Sequence, residues 1–244
     1  MSINDLAIKI FADGADVESM KTLYADSRIK GFTTNPTLMR AAGVTDYQGF
    51  AKAVLEAIPD RPVSFEVFAD EFDEMEAQAL EIASWGSNVN VKIPVTNSTG
   101  EFSGPLIARL SSAGVVCNVT AMFTMEQVMA VVEALAPGTP AILSVFAGRI
   151  ADSGIDPLPI MTEAASHLSR VRPLAELLWA SPRELLNIFQ ADQAGCHIIT
   201  VSPDLLKKLA LVGKDQDAYS LETVQMFYND AAAAEYSIKV SDCA

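Results

Sequence analysis

An α/β fold, a single (β/α)8 TIM barrel with an extra C-terminal helix, is what three features of this 244-residue chain predict. A short apolar run followed by a longer amphipathic segment recurs about eight times. The runs have the length and β-branched content of strands, and the segments between them carry apolar residues at helical spacing. A strand that returns parallel to its predecessor needs a crossover of this kind, and right-handed crossovers repeated about eight times close a barrel. The alternative, a doubly wound open sheet, lacks its usual sign, because no G-x-G-x-x-G turn follows the first strand.

The predicted strands are residues 7–12, 31–34, 63–67, 89–94, 115–120, 141–146, 177–180 and 197–201. Between them helical patterns cover residues 71–85, 102–112, 125–135, 160–171, 182–194 and 203–211, and a further one at 221–234 is placed to cover one end of a barrel. No linker, low-complexity tract or block of charge interrupts the chain, so residues 1–244 are read as one domain.

Half of the residues are apolar and a fifth charged, which excludes disorder as the main state. A net charge of −14 opposes nucleic acid and anionic membrane as partners, so an anionic substrate must be met by a local cluster of Arg or Lys. The first residues lack the basic, apolar and small-residue segments of a secretory signal, and no apolar run approaches the roughly 20 residues that span a bilayer. Cys117, Cys196 and Cys243 have no metal-type spacing and are odd in number; the two in strand-like apolar runs read as reduced core residues of a cytoplasmic protein.

Function is sought at the strand ends, where barrels of this class place their active sites. Lys92 is a lone cation in an apolar run with Val89, Val91, Ile93 and Val95. Charge is costly there, which makes its amine a candidate nucleophile for an imine with a carbonyl substrate. The other strand ends supply Asp13, Thr33, Asn35, Glu66, Asn118, Thr120, Ser144, Phe146, Ser181 and Arg183. Glu66 and Thr120 can hold a water that moves protons during imine chemistry, and Asp13 can serve as the base at a leaving hydroxyl. Asn35, Asn118 and Ser144 can fix sugar hydroxyls. Asp13 and Asn35 also have a plainer use as helix caps, given Gly14 and Asp16 after the one and Pro36 after the other.

Five segments, FTTNPTL at 32–38, VKIPVT at 91–96, NVT at 118–120, SVFAGRI at 144–150 and TVSPDLL at 200–206, resemble in order and placement the transaldolase family. The likeness covers roughly residues 8–211 and is closest to the short microbial members and their relative fructose-6-phosphate aldolase. It implies a class I aldolase mechanism on a (β/α)8 barrel with no metal or organic cofactor, often in a homo-oligomer. It also implies a place in carbohydrate metabolism such as the pentose phosphate pathway. By motif position Lys92 matches the Schiff-base lysine, Asp13 the acid/base at the substrate's C4 hydroxyl, and Glu66 with Thr120 the water-mediated relay. Asn35, Asn118 and Ser144 match the groups around the dihydroxyacetone portion.

Glu66 and Phe146 are the transaldolase choices where the aldolase branch has Gln and Tyr, so the resemblance implies transfer of a ketol unit to an aldose acceptor. Arg149, Ser181 and Arg183 fall on the family's phosphate-binding positions. Pro182 and Glu184 depart from the Phe and Asn usual there, and Glu184 either orients Arg183 or repels a dianion. A sulfonated or otherwise modified sugar, simple cleavage of fructose 6-phosphate, and a non-catalytic sugar-phosphate-binding barrel are the alternatives. His167 and His197 read as structural, and Met122, Phe123, Met125 and Met129 as core.

Overall fold

Eight parallel strands close on themselves in chain order, with the last returning to the first. They are β1 (Lys9–Asp13), β2 (Ile29–Thr33), β3 (Val63–Glu66), β4 (Val89–Pro94), β5 (Cys117–Met122), β6 (Ala141–Val145), β7 (Ala175–Trp179) and β8 (Ile198–Val201). The computed structural model describes residues 3–239, and the barrel occupies Leu6–Lys207. Its helices are α1 (Val17–Tyr24), α2 (Pro36–Ala41), α3 (Tyr47–Ala57), α4 (Phe72–Ser84), α5 (Gly104–Ser112), α6 (Met125–Ala134), α7 (Ala147–Asp152), α8 (Leu158–Val171), α9 (Leu186–Gln193) and α10 (Pro203–Lys207). A second unit includes residues 3–5 and 208–239; its main element is α11 (Gln216–Ala233), the extra C-terminal helix, started by the Asp215 side chain on the Ala218 amide.

The predicted strands match the observed ones with shifts at their ends, and the helices differ where side chains decide their limits. The pattern at 182–194 becomes helical only from Leu186, because the Asn187 side chain accepts both the Arg183 and Glu184 amides and holds that turn open. The pattern at 203–211 is α10 followed by a 3-10 turn, Lys208–Leu211. Asp16 caps α1 by accepting from the Ser19 amide, which leaves Asp13 free of that use.

Both faces of the strands are covered, so strands such as β6 are buried at every residue. Inside the barrel, Phe11, Ile142, Leu178, Ala180 and Ile198 form an apolar cluster. Phe11 fits because Gly31 faces it; a Cβ at Gly31 would lie 2.5 Å from the ring, so an alanine there is overpacked at about 1–3 kcal/mol. Polar side chains gather toward the carboxyl ends of the strands. Register pairs Glu66 with Lys92, Lys92 with Asn118, and Pro94 with Thr120, which sets these side chains on neighbouring strands in one belt.

Candidate active site

A cavity of about 550 Å³ opens at the carboxyl ends of the strands. Every candidate side chain named from the sequence lines it: Asp13, Thr33, Asn35, Glu66, Lys92, Asn118, Thr120, Ser144, Phe146, Arg149, Ser181 and Arg183. They come from strands or loops far apart in the chain and are brought together by the closed register.

Lys92 is 7% exposed, and its Nζ donates to Glu66 Oε2 at 2.8 Å and to the Thr34 carbonyl at 2.7 Å. The expected water-holding Glu66 thus meets the amine directly. Asp13 sits in a cradle: the Thr33 hydroxyl donates to Oδ1 at 2.9 Å, and Asn35 Nδ2 to Oδ2 at 3.1 Å. The Thr200 and Thr33 hydroxyls are in contact behind it. Burial pushes the Asp13 carboxyl above its ordinary range, while Lys92 and the Thr33 and Asn35 donors pull the other way. Asn35 also caps α2, its Oδ1 accepting the Leu38 amide, so the expected cap is formed by one end of the amide while the other end holds Asp13. Ser144 donates to Asn118 Oδ1 at 2.7 Å, and Asn118 Nδ2 donates to Ser64 at 3.1 Å, which fixes the amide's orientation within the wall.

At the outer part of the cavity Arg183 meets a carboxylate, but it is Asp152 and not Glu184. Its Nε lies 2.9 and 3.0 Å from the two Asp152 oxygens, Nη2 completes the fork, and Nη1 donates to Ser181. The pair holds Asp152 below and Arg183 above their usual ranges. Arg149 lies over the Phe146 ring, 5.3 Å from its centroid, and Phe123 packs on the same ring. Phe123 is therefore a half-exposed partner of Phe146, and Met129 is exposed too; only Met122 of that group is fully buried. The loop carrying Ser181 is tight: Ser181 has φ +63°, and a Cβ on Gly148 would collide with its carbonyl oxygen at 1.5 Å.

The chain matches the family model described as transaldolase/fructose-6-phosphate aldolase over residues 10–243. The chain belongs to that family. A protein of Dehalococcoides mccartyi named "Probable transaldolase" is 35% identical over 202 residues, covering 83% of this chain and 90% of its own length. "Probable transaldolase 2" of Listeria monocytogenes is 33% identical over 204 residues, covering 83% and 88%. A solved structure, a "putative lyase/mutase" from Burkholderia cenocepacia, shares the fold with a TM-score of 0.60 at 14% identity, covering 86% of this chain and 84% of that one.

In this member of the transaldolase/fructose-6-phosphate aldolase family, several residues that sequence patterns did not mark support the cavity lining. Ser64, Asp152 and Thr200 bond the side chains of Asn118, Arg183 and Thr33, and Tyr47 bonds the Glu66 backbone. Ala121, at φ +63°, lies within β5 where the β5–β6 register shifts between Val119 and Met122. Among the cysteines, Cys117 and Cys196 are buried, and burial pushes both thiols up to about 12; Cys243 lies outside the described residues. His197 accepts the Leu177 amide at its Nδ1, a structural use.

The cradle around Asp13 gives a signed expectation. The Thr33 hydroxyl bonds the ionised carboxylate, so Thr33→Val removes support for the charged form and moves Asp13 titration to still higher pH. Carboxyl carbon NMR across a pH series measures this, and an unchanged or lower midpoint would show that the bond does not contribute.

Proposed function

We propose that this chain is a transaldolase that moves a dihydroxyacetone unit from a ketose with a terminal anion, such as fructose 6-phosphate, to an aldose acceptor through a Schiff base on Lys92. The observation that carries this reading is the buried Lys92 amine in contact with Glu66, in a cavity shared with Asp13 and, farther out, two arginines. Glu66 takes a proton from the ammonium, and the free amine attacks the donor's C2 carbonyl; the carbinolamine loses water as Glu66 returns that proton to the departing hydroxyl, giving the protonated imine. Asp13 takes the proton of the C4 hydroxyl as the C3–C4 bond breaks, releasing an aldose and leaving an enamine on Lys92. The enamine carbon then attacks the acceptor aldehyde, whose oxygen regains the proton from Asp13, and water frees the new ketose. No metal or organic cofactor enters these steps.

Phe146 presents no hydroxyl toward the enamine, so water is a poor competitor with the acceptor aldehyde. Arg149 and Arg183, with Ser181, suit the terminal anion as charged and neutral donors. Asp152 cancels one of the two positive charges, which favours a singly charged head group such as a sulfonate as a second reading. The exposed Leu221, Val224 and Tyr228 on α11 form the apolar contact of a homo-oligomer.

Borohydride added with fructose 6-phosphate is expected to leave a reduced three-carbon adduct on Lys92, located by peptide mass; Lys92→Met should lose both adduct and turnover while keeping its circular dichroism. Absence of an adduct with phosphate and sulfonate donors alike would sink the Schiff-base reading, and turnover indifferent to the acceptor would sink transfer. Arg183→Ala should raise KM for an anionic donor about tenfold to a hundredfold, the worth of a charge-assisted bond, with little change for a neutral ketose. Donors differing only in head group separate phosphate from sulfonate. Sedimentation should give a mass above the 26.1 kDa of one chain, reduced by Leu221→Glu; a monomer at working concentration would contradict the oligomer.

A further inference from the structure

The pairing of β2 with β3 stops one rung early, and the two backbone groups of the missing rung are both taken by side chains. The ladder runs regularly through Phe32 N–H to the Pro62 carbonyl at 2.8 Å and Thr34 N–H to the Ser64 carbonyl at 3.1 Å. In a parallel ladder the next bond joins the Glu66 N–H to the Thr34 carbonyl. Here the Glu66 N–H donates instead to the Tyr47 hydroxyl at 2.7 Å, and the hydroxyl donates back to the Glu66 carbonyl at 3.1 Å. The Thr34 carbonyl accepts from Lys92 Nζ at 2.7 Å.

We propose that Tyr47 is a positioning residue for the Lys92–Glu66 pair: by taking the Glu66 amide it opens one rung of the barrel and releases the Thr34 carbonyl to hold the Lys92 amine. A buried backbone group without a partner costs about 1–3 kcal/mol, so the open rung persists only while both halves are satisfied. Without the hydroxyl the Glu66 amide turns to its regular partner, Thr34. That draws the end of β3 toward β2 and makes the amide compete with Lys92 for one carbonyl.

Tyr47 is built to stay in place. It opens α3 directly after the Asp46 cap, and its ring packs edge-on against Phe68, Trp85 and Phe65 at centroid distances of 4.5, 5.8 and 6.2 Å. Burial holds the phenol well above its ordinary range, so it remains a proton donor at any working pH. Its hydroxyl points at the backbone of a cavity residue and not into the cavity, whose lining does not include it.

The proposal rests on the Lys92 reading above, and its test keeps the two apart. Tyr47→Phe retains the ring and removes one oxygen; Trp85→Phe disturbs the same aromatic group without touching Glu66 and serves as the packing control. Tyr47→Phe is expected to lower kcat and the rate of borohydride-trapped adduct formation at least tenfold, with KM for the donor within about twofold, whereas Trp85→Phe leaves kcat within about twofold. Amide hydrogen exchange at Glu66 should speed up or change its partner-dependent shift in Tyr47→Phe alone, whether or not the enzyme turns over. Unchanged kcat and unchanged Glu66 exchange in Tyr47→Phe would overturn the proposal, as would an equal loss of kcat in Trp85→Phe. A wild-type chain that forms no adduct while Glu66 exchange still responds would overturn the Lys92 reading and leave the Tyr47 contact standing.

Discussion

A lysine ammonium and a carboxylate 2.8 Å apart, both mostly out of water, constrain everything around them. Withdrawing such ions costs several kcal/mol each even after relaxation, and their attraction compensates only when their remaining hydrogen-bonding capacity is met. The barrel meets it with fixed groups. The Thr34 carbonyl takes a second Lys92 proton, and Asp13, the next charge along the wall, has donors on both oxygens. Beside Lys92 on the β5 side the wall is neutral, as Ser144, Asn118 and Ser64 bond one another in a chain that requires no counterion. Neutral donors near charged groups orient them at less cost than a second ring of ions.

The interior divides into an apolar cluster and a polar cavity, and single strands contribute to both. β1 gives Phe11 to the cluster and Asp13 to the cavity, β6 gives Ile142 and Ser144, and β8 gives Ile198 and Thr200, while β3 to β5 add Glu66, Lys92, Asn118 and Thr120 to the cavity. The apolar cluster lowers the local dielectric beside the cavity, and polar contacts in such surroundings are stronger than in water. Gly31 makes room for this cluster, because Phe11 takes the space its missing side chain leaves.

The barrel and most of the cavity were legible in the sequence because both follow local patterns. Apolar runs mark strands, and a polar residue at the end of each marks the belt, so Lys92, Glu66, Asn118 and Thr120 needed only the order of the strands to be placed together. What escaped depends on geometry that no local pattern encodes. Tyr47 reads as an aromatic at the start of a helix; its role follows from a ladder that ends one bond early. Asp152 is 31 residues from Arg183 and meets it only because α7 and the loop after β7 touch, as the crowding at Gly148 shows. Glu184 was the reasonable sequence choice for that carboxylate, but its amide is bonded to the Asn187 side chain, and the carboxylate that grips Arg183 comes from another element. The left-handed backbone of Ala121 and Ser181 is equally invisible, since neither residue type announces it.

The proposed anion subsite of Arg149, Ser181 and Arg183 would reconcile a chain of net charge −14 with a negatively charged ligand. Repulsion from distant acids is screened within about 8–10 Å at physiological salt, so the groups in contact decide binding. Those groups do not maximise positive charge. Asp152 gives up half of the local charge in exchange for a fixed guanidinium, and Phe146 seats Arg149 by its face. A long, exposed arginine loses much rotamer freedom on grasping a ligand, and one already gripped on its Nε edge has lost it beforehand. With Ser181 also locked by the close approach of Gly148, the subsite offers donors in set directions more than a strong field. On the function proposed above, a head group has to match those directions with its oxygens as well as the single positive charge that Asp152 leaves.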